Sequence, residues 1–271
     1  MSSRKAVFIT GAASGIGLGT AKRFAKKGWF VGLADVNAAG LKAALDAIGG
    51  PSNGATYLLD VRDRSAWDDA LSVFAAASGG RLDVLINNAG IASYGYLEEQ
   101  SDDEVARQLD INVKGVINGS RAGIEYLKKT PGSQLINISS CASIYGAPKL
   151  SVYCATKFAV RGLSEALDIE FSRFGVGVKC IMPFFINTPI LQAGSSGSNV
   201  NMADSIKEGG TPVYTVEECA GVIYDSVASK ELKHIVGARG KQLAWLARFA
   251  PGMVRRQLTA AERSGKAPGS R

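Results

Sequence analysis

Histidine is almost absent from this chain of 271 residues: His234 is the only one. That argues against a zinc site, which needs several ligands at close spacing, and against a histidine-activated nucleophile. The four cysteines, Cys141, Cys154, Cys180 and Cys219, show no C-x-x-C spacing. With no secretory leader they read as reduced thiols in a cytoplasm. Cys154 has no histidine near it in sequence and is a poor candidate nucleophile. No apolar run approaches the roughly 18 residues that span a bilayer. No segment repeats and no linker divides the chain, so one domain is expected.

The net charge is +7, and it is uneven. Residues 228–271 hold 10 Lys/Arg against 2 Asp/Glu, which leaves the rest of the chain at −1. The basic character belongs to the C-terminal tail. No nucleic-acid-reading motif accompanies it, so nucleic acid is not an expected partner.

Short β-branched runs alternate with amphipathic stretches from end to end. Ala6–Thr10 reads as a buried strand, followed at once by Gly11-Ala12-Ala13-Ser14-Gly15-Ile16-Gly17 and a helix to about Lys27. Glycines between a strand and a helix allow a tight turn. They also let a phosphate approach the free N–H groups of the helix N-terminus. Phe30–Ala34 is a second strand with Asp35 at its tip, where a dinucleotide fold places an acid on the adenosine ribose. A 2′-phosphate there would meet a carboxylate, and Ser14 adds no cation, so NAD is expected over NADP. Asp35 could also serve as a helix N-cap.

Ala55–Leu59 and Leu82–Ile86 are the next strands, ending at Asp60 and at Asn87-Asn88-Ala89-Gly90. Ser101 caps a helix carrying Leu109, Ile111, Val113, Val116 and Ile117. Asn112 lies in its middle and needs a partner, or fixes a kink. Gln134–Ile138 and Val176–Met182 are two further strands, and Ile235-Val236 a final edge strand. The pattern predicts one doubly wound α/β domain with a parallel sheet, covering residues 1–238. Ligands in such sheets bind at the carboxyl ends of the strands.

The chemistry is expected between Ser139 and Lys157. A strand ends there, a loop follows, and a helix opens near Ser151. Tyr153 and Lys157 are four apart, which puts both on one helix face. An ammonium beside a phenol should pull its pKa from about 10 towards neutrality and make it a better general base. Tyr145 and Lys149 share the spacing, but Pro148 opposes a helix through them.

Together, Thr10–Gly17, Asn87–Gly90, Asn112, Ser140 and Tyr153-x-x-x-Lys157 resemble the short-chain dehydrogenase/reductase family over roughly residues 5–237. The resemblance implies a seven-stranded Rossmann-type sheet and a homodimer or homotetramer. It also implies an alcohol dehydrogenase or carbonyl reductase acting on a small-molecule secondary alcohol or its carbonyl. It makes Tyr153 the general acid/base and has Lys157 lower its pKa and hold the nicotinamide ribose. Ser140 would orient the substrate oxygen, and Asn112 would help position a relay water. The cofactor set would be Gly11, Ser14, Gly15, Ile16, Gly17, Asp35, Asp60, Val61, Asn88, Ala89, Gly90, Pro183 and Thr188, with Tyr153 and Lys157. Within it, Asp60 and Val61 would flank adenine and Thr188 would reach the nicotinamide amide.

One departure stands out: Phe184 follows Pro183 where the family usually has glycine. With Tyr94, Cys141, Tyr145 and Phe185 it suggests a pocket for an apolar or bulky substrate. Residues 187–211 read as a lid over it. Lys241–Pro251 reads as a short amphipathic helix stopped by proline, extended in character by Met253–Arg256. It would pack on the pocket or a partner subunit, or touch a membrane surface. Gly265–Arg271 reads as disordered. Two other readings are a nucleotide-sensing protein without turnover and a 3-oxoacyl-carrier reductase; Asp35 disfavours the latter's usual NADP.

Overall fold

The computed structural model describes residues 4–192, 206 and 211–263. Seven strands pair in parallel: β1 (Ala6–Thr10), β2 (Phe30–Asp35), β3 (Gly54–Leu58), β4 (Val84–Asn87), β5 (Gln134–Ile138), β6 (Gly177–Pro183) and β7 (Lys233–Val236). Their order is β3-β2-β1-β4-β5-β6-β7. The chain winds outward from β1, returns to β4, and winds outward the other way. This is the Rossmann-type doubly wound fold expected from the alternation of elements.

Both faces of the sheet are covered, which is why its strands are continuous apolar runs. Alternate residues of β1 serve the two layers. Val7 and Ile9 pack with Ala21 and Phe24 of α1 (Gly15–Lys26) and Ile223 of α7 (Val216–Ser226). Phe8 faces the other way. Its ring lies 5.2 Å from Tyr57, 6.2 Å from Trp67 and 5.2 Å from Phe74. Trp67 and Phe74 belong to α3 (Arg64–Ala77), and α2 (Ala38–Ala47) links β2 to β3.

The helix after Ser101 is not the single apolar helix expected. Ser101 and Glu104 cap α4 (Asp102–Leu109) reciprocally, but a π-turn over Asp110–Lys114 separates it from α5 (Gly115–Leu127). Gly115 N–H donates to the Asp110 carbonyl, five residues back. The extra residue in that turn rotates everything after it. Ile117, after the turn, is therefore out of phase with Leu109, before it: both are exposed, while Asn112 and Val116 are buried. The expected kink at Asn112 is this turn.

The long helix α6 (Ser151–Ser172) follows the reacting stretch. After β7 come α8 (Ala238–Phe249) and α9 (Pro251–Arg263). The first helix stops just before Pro251, as expected; Pro251 then opens a second helix, which was not expected. Proline is tolerated in a first turn because its missing N–H would have no partner there.

Buried amides tie the strands together. Asn87 Nδ2 donates to Asn137 Oδ1 at 2.9 Å, and Asn137 Nδ2 donates to Ser164 Oγ at 3.1 Å. Gly119 of α5 sits against the same place. A Cβ there would lie 2.1 Å from Asn87 Oδ1 and 2.6 Å from the Trp67 ring. Gly119→Ala is expected to destabilise the protein by about 1–3 kcal/mol through overpacking. A urea midpoint equal to that of the wild type would refute this packing.

Candidate active site

The turn after β1 is shaped for close approach. Gly11 has φ +65° and Gly15 φ +52°, conformations that favour glycine. A Cβ on Gly17 would lie 2.1 Å from the Gly11 carbonyl oxygen, so Gly17 backs the turn and does not itself line the cleft. Asn88 pins the turn: its Nδ2 donates to the Thr10 carbonyl at 2.8 Å. Thr10 Oγ1 accepts from the N–H groups of Asn88 at 3.0 Å and Ala89 at 3.1 Å. Ser14 stands at the N-cap of α1, but its side chain caps nothing. The first N–H groups of α1 are thus left to a ligand, which suits a pyrophosphate.

Asp35 accepts from Ala13 N–H at 3.1 Å and from Asn37 N–H at 3.0 Å. It is not the helix cap; Asn37 fills that role, accepting from Gly40 N–H. Further along the strand ends, Arg62 grips the Asp60 carboxylate through Nε and Nη2 and holds its pKa below the ordinary range. Val61 is buried beside it, its carbonyl accepting from Trp67 Nε1 and Asn118 Nδ2 at 3.1 Å each. Both Asp60 and Val61 line the cleft.

At the other end of the cleft, β5 runs into Ser139 and Ser140. Ser139 is structural: its Oγ donates to the Lys157 carbonyl at 2.8 Å. Ser140 Oγ accepts from Ala142 N–H at 3.1 Å and is hydrogen-bonded with Tyr153. Tyr153 and Lys157 share a face of α6, as their spacing predicts. The Lys157 ammonium lies 5.6 Å from the centre of the Tyr153 ring and donates to the Ile138 carbonyl at 3.0 Å. Lys157 is only 4% exposed.

That burial overturns one expectation. The phenol of Tyr153 is pushed up to about 12 by desolvation, with the Ser140 hydrogen bond opposing. The same cause pulls Lys157 down to about 8. The cysteine thiols here are raised as well: Cys141 to about 12 and Cys154 upward, both by burial. Neither has the environment of a nucleophile.

Asn112 is fully buried and does not reach the cleft. Its Oδ1 accepts from Ile91 N–H at 2.9 Å, and its Nδ2 donates to the Ile91 carbonyl at 2.8 Å and to Thr156 Oγ1 at 3.1 Å. Every polar atom of its side chain is engaged. A Cβ on Gly90 would lie 3.2 Å from Asn112 Oδ1 and 3.5 Å from Lys157 Nζ, so these three residues pack as one unit.

One cleft of about 930 Å³ joins the two ends. Ala89, Gly90, Cys141, Tyr145, Pro183, Phe184, Phe185 and Thr188 line it as expected, with Thr188 against Gly15. Tyr94 does not. It is buried with Cys154 behind Leu150 and Leu191, which do line the cleft, because its loop folds back towards Lys149. Of the expected lid, Pro189–Gln192 forms a short helical turn against the cleft; Gly194–Asn199 lie outside the described residues, as do Gly265–Arg271.

The C-terminal helix packs on the pocket, one of the placements read from the sequence, and a second helix joins it there; the residues that form this roof were not singled out. Leu243 and Leu246 of α8 and Val254 and Leu258 of α9 close the cleft, with Arg239, Gln242 and Gln257 beside them. Phe184 explains how α8 is seated. Its ring is 4.8 Å from Phe185, and it clusters with Ile235 and Leu243. Gly240 makes the approach possible, since a Cβ there would meet Cys141 Sγ at 2.7 Å.

The family described as short chain dehydrogenase matches residues 5–199. The chain is 40% identical over 190 residues to 2,5-dichloro-2,5-cyclohexadiene-1,4-diol dehydrogenase of Sphingobium indicum, covering 69% of this chain and 74% of that one. It is 35% identical over 189 residues to cyclopentanol dehydrogenase of a Comamonas species, covering 69% and 75%. Levodione reductase superposes with a TM-score of 0.78 at 26% identity, over 89% of this chain and 98% of its own. A short-chain dehydrogenase/reductase of Burkholderia phymatum in complex with NAD shares the fold, with a TM-score of 0.79 at 22% identity, over 99% and 98%. The chain belongs to the short-chain dehydrogenase family. It is an oxidoreductase of the kind that interconverts alcohols and carbonyls.

The depressed Lys157 pKa has a consequence for stability. Folding lowers it from 10.5 to about 8, so below pH 8 the unfolded chain holds this proton more tightly and stability is reduced by about 3 kcal/mol. That penalty shrinks as pH rises from 8 towards 10.5. Lys157→Met is therefore expected to be more stable than the wild type at pH 7, with the gap narrowing by pH 10. Urea unfolding at both pH values checks this; a gap independent of pH would refute it.

Proposed function

We propose that the chain is an NAD(H)-dependent dehydrogenase that interconverts an apolar secondary alcohol and its ketone. The observation that carries this reading is the single cleft. One end holds the glycine turn and Asp35; the other holds Ser140, Tyr153 and Lys157 beneath an apolar roof. The residues fit a dinucleotide. Gly11, Ser14, Gly15 and Ile16 would receive the pyrophosphate at the open N-terminus of α1, with Gly17 allowing the approach. Asp35 would accept from the ribose hydroxyls, and Asp60 and Val61 would flank the adenine. Asn88, Ala89 and Gly90 would support the middle of the cofactor, and Pro183 and Thr188 its nicotinamide end. The bound cofactor supplies the hydride acceptor or donor.

The chain's own residues move the proton. Tyr153 takes it from the alcohol hydroxyl in oxidation and returns it to the carbonyl oxygen in reduction. Ser140 hydrogen-bonds that oxygen and orients it. Lys157 holds positive charge beside the phenol and reaches the nicotinamide ribose. Asn112 positions a relay water through the π-turn and the Ile91 loop it fastens, because its own amide is fully used. The relatives named for cyclic alcohols support a cyclic or otherwise bulky apolar substrate. The acyl-carrier reductase reading is weaker, because Asp35 sets a carboxylate where a 2′-phosphate needs a cation. We also propose a homodimer or homotetramer, which would cover Ile117 and Ile169 on the outer faces of α5 and α6. A cytoplasmic setting fits four unpaired, buried cysteines.

Three outcomes test this reading on a panel of cyclic secondary alcohols. Tyr153→Phe should lose about 10²–10⁴-fold in kcat/KM while still binding NADH. In the wild type, kcat/KM for oxidation should climb with pH through the alkaline range, because the raised phenol pKa leaves the base protonated at neutrality. Turnover surviving in the variant, or a flat profile from pH 7 to 10, would overturn the assignment of Tyr153. Asp35→Ser should narrow the preference for NAD over NADP by at least about tenfold, since the repulsion removed is of the order of a few kcal/mol. An unchanged ratio of kcat/KM values would remove Asp35 from cofactor choice.

A further inference from the structure

Helices α8 and α9 have two apolar faces. The inner one carries Leu243, Leu246, Val254 and Leu258 and roofs the cleft. The outer one presents Trp245, Phe249 and Met253, which are 60%, 64% and 45% exposed. Trp245 and Phe249 touch, ring centres 5.6 Å apart, and the Arg248 guanidinium lies over Phe249 at 5.7 Å. Lys241 and Arg248 share α8 with Trp245 and Phe249, Arg255 and Arg256 follow Met253 on α9, and all four are exposed. The one acid on the two helices, Glu262, accepts from the hydroxyl of Tyr96 and stands against six cations on the same helices.

Apolar, aromatic and basic side chains together on one exposed helical surface, with no acid among them, fit an occupant that is both anionic and apolar. We propose that the outer face of α8 and α9 docks on an anionic lipid surface. Trp245, Phe249 and Met253 enter the headgroup boundary, and the cations meet lipid phosphates. The distribution of charge supports this occupant. Residues 228–271 carry +8 while the rest of the chain carries −1, so one face of the protein is drawn to the surface. A second copy is a poorer fit, because a two-fold contact would set this cationic face against itself. No helix among the described residues is long and apolar enough to cross the bilayer, so the contact is peripheral. The bilayer then lies against the roof of the cleft. The inference does not depend on which alcohol is turned over.

The protein carries its own probe. Of its three tryptophans, Trp29 and Trp67 are buried and Trp245 alone is exposed. The full chain is mixed with phosphatidylcholine vesicles, with or without phosphatidylglycerol, at physiological ionic strength. Co-sedimentation with the anionic vesicles only is expected, with a blue shift of tryptophan emission. Each lipid-facing cation contributes on the order of fivefold to partitioning. The triple variant Arg248→Gln, Arg255→Gln, Arg256→Gln should therefore bind at least about tenfold more weakly. Trp245→Ala with Phe249→Ala should also bind more weakly, with turnover of a water-soluble alcohol unchanged in both. Four results would each overturn the proposal: no sedimentation, sedimentation retained by both variants, sedimentation without an emission shift, or loss of an oligomer in the Trp245→Ala, Phe249→Ala protein. The last would assign the patch to a second copy.

Discussion

The hydrogen bonds between Thr10 and Asn88 hold together the two strand ends on which the cleft depends. The two residues are 78 positions apart in sequence and meet because the sheet reverses its winding between β1 and β4. At such a switch point the connections leave in opposite directions and a crevice opens above the strands. Asn88 closes its floor by donating to the Thr10 carbonyl while its own N–H goes to Thr10 Oγ1. Gly11 and Gly17 can lie flat against that staple only because neither has a Cβ. The phosphate-shaped turn is thus a product of strand pairing as much as of its glycines.

The second constraint is electrostatic. At a separation of about 5–6 Å and an effective dielectric near 20, a full charge on Lys157 would favour the Tyr153 phenolate by about 3 kcal/mol, or roughly two pKa units. Desolvation of a fully buried group can move a pKa by about 3–5 units. It acts on both partners, raising the phenol and lowering the lysine to about 8, above which the ammonium that favours the phenolate is lost. Burial therefore wins in the protein by itself. The pair is held in a state where added positive charge at the mouth of the site has most to gain. The Ser140 hydrogen bond is the one local contribution already pulling the phenol the other way.

Much of this was legible before any coordinates. The strands are continuous β-branched runs, and a fully buried parallel strand has no reason to alternate. Tyr153 and Lys157 fall on one face of α6 by helical spacing alone. What escaped had physical causes of its own. The π-turn at Asp110–Lys114 breaks the 3.6-residue period, so Leu109 and Ile117 read as core and stand in water. Tyr94 sits in a loop whose return path is set by contacts with Lys149, which no local pattern encodes. The phenol pKa depends on how much protein covers it, and that cover comes from residues distant in sequence such as Tyr94 and Leu191. The C-terminal helix could be read onto the pocket, but which of its leucines line the cleft could not.

The family match covers residues 5–199, and α8 and α9 begin beyond it, at Ala238. Phe184 and Gly240 show the two regions fitted to each other: the bulky ring takes the place usual for a glycine, and a glycine on α8 makes room for the wall it rests on. A phenyl group at Phe184 without α8 would stand open to water. With α8 in place it becomes the joint that carries the roof. The reacting groups and the glycine turn belong to the shared part of the chain. The volume and polarity offered to a substrate depend on the roof, through Leu243, Leu246 and the two glutamines beside them. In a family where one fold serves many substrates, selectivity resides in such additions. The two roof helices also hold six Lys/Arg against one Glu, most of the chain's net excess of +7, so the cover of the cleft is also its most basic part.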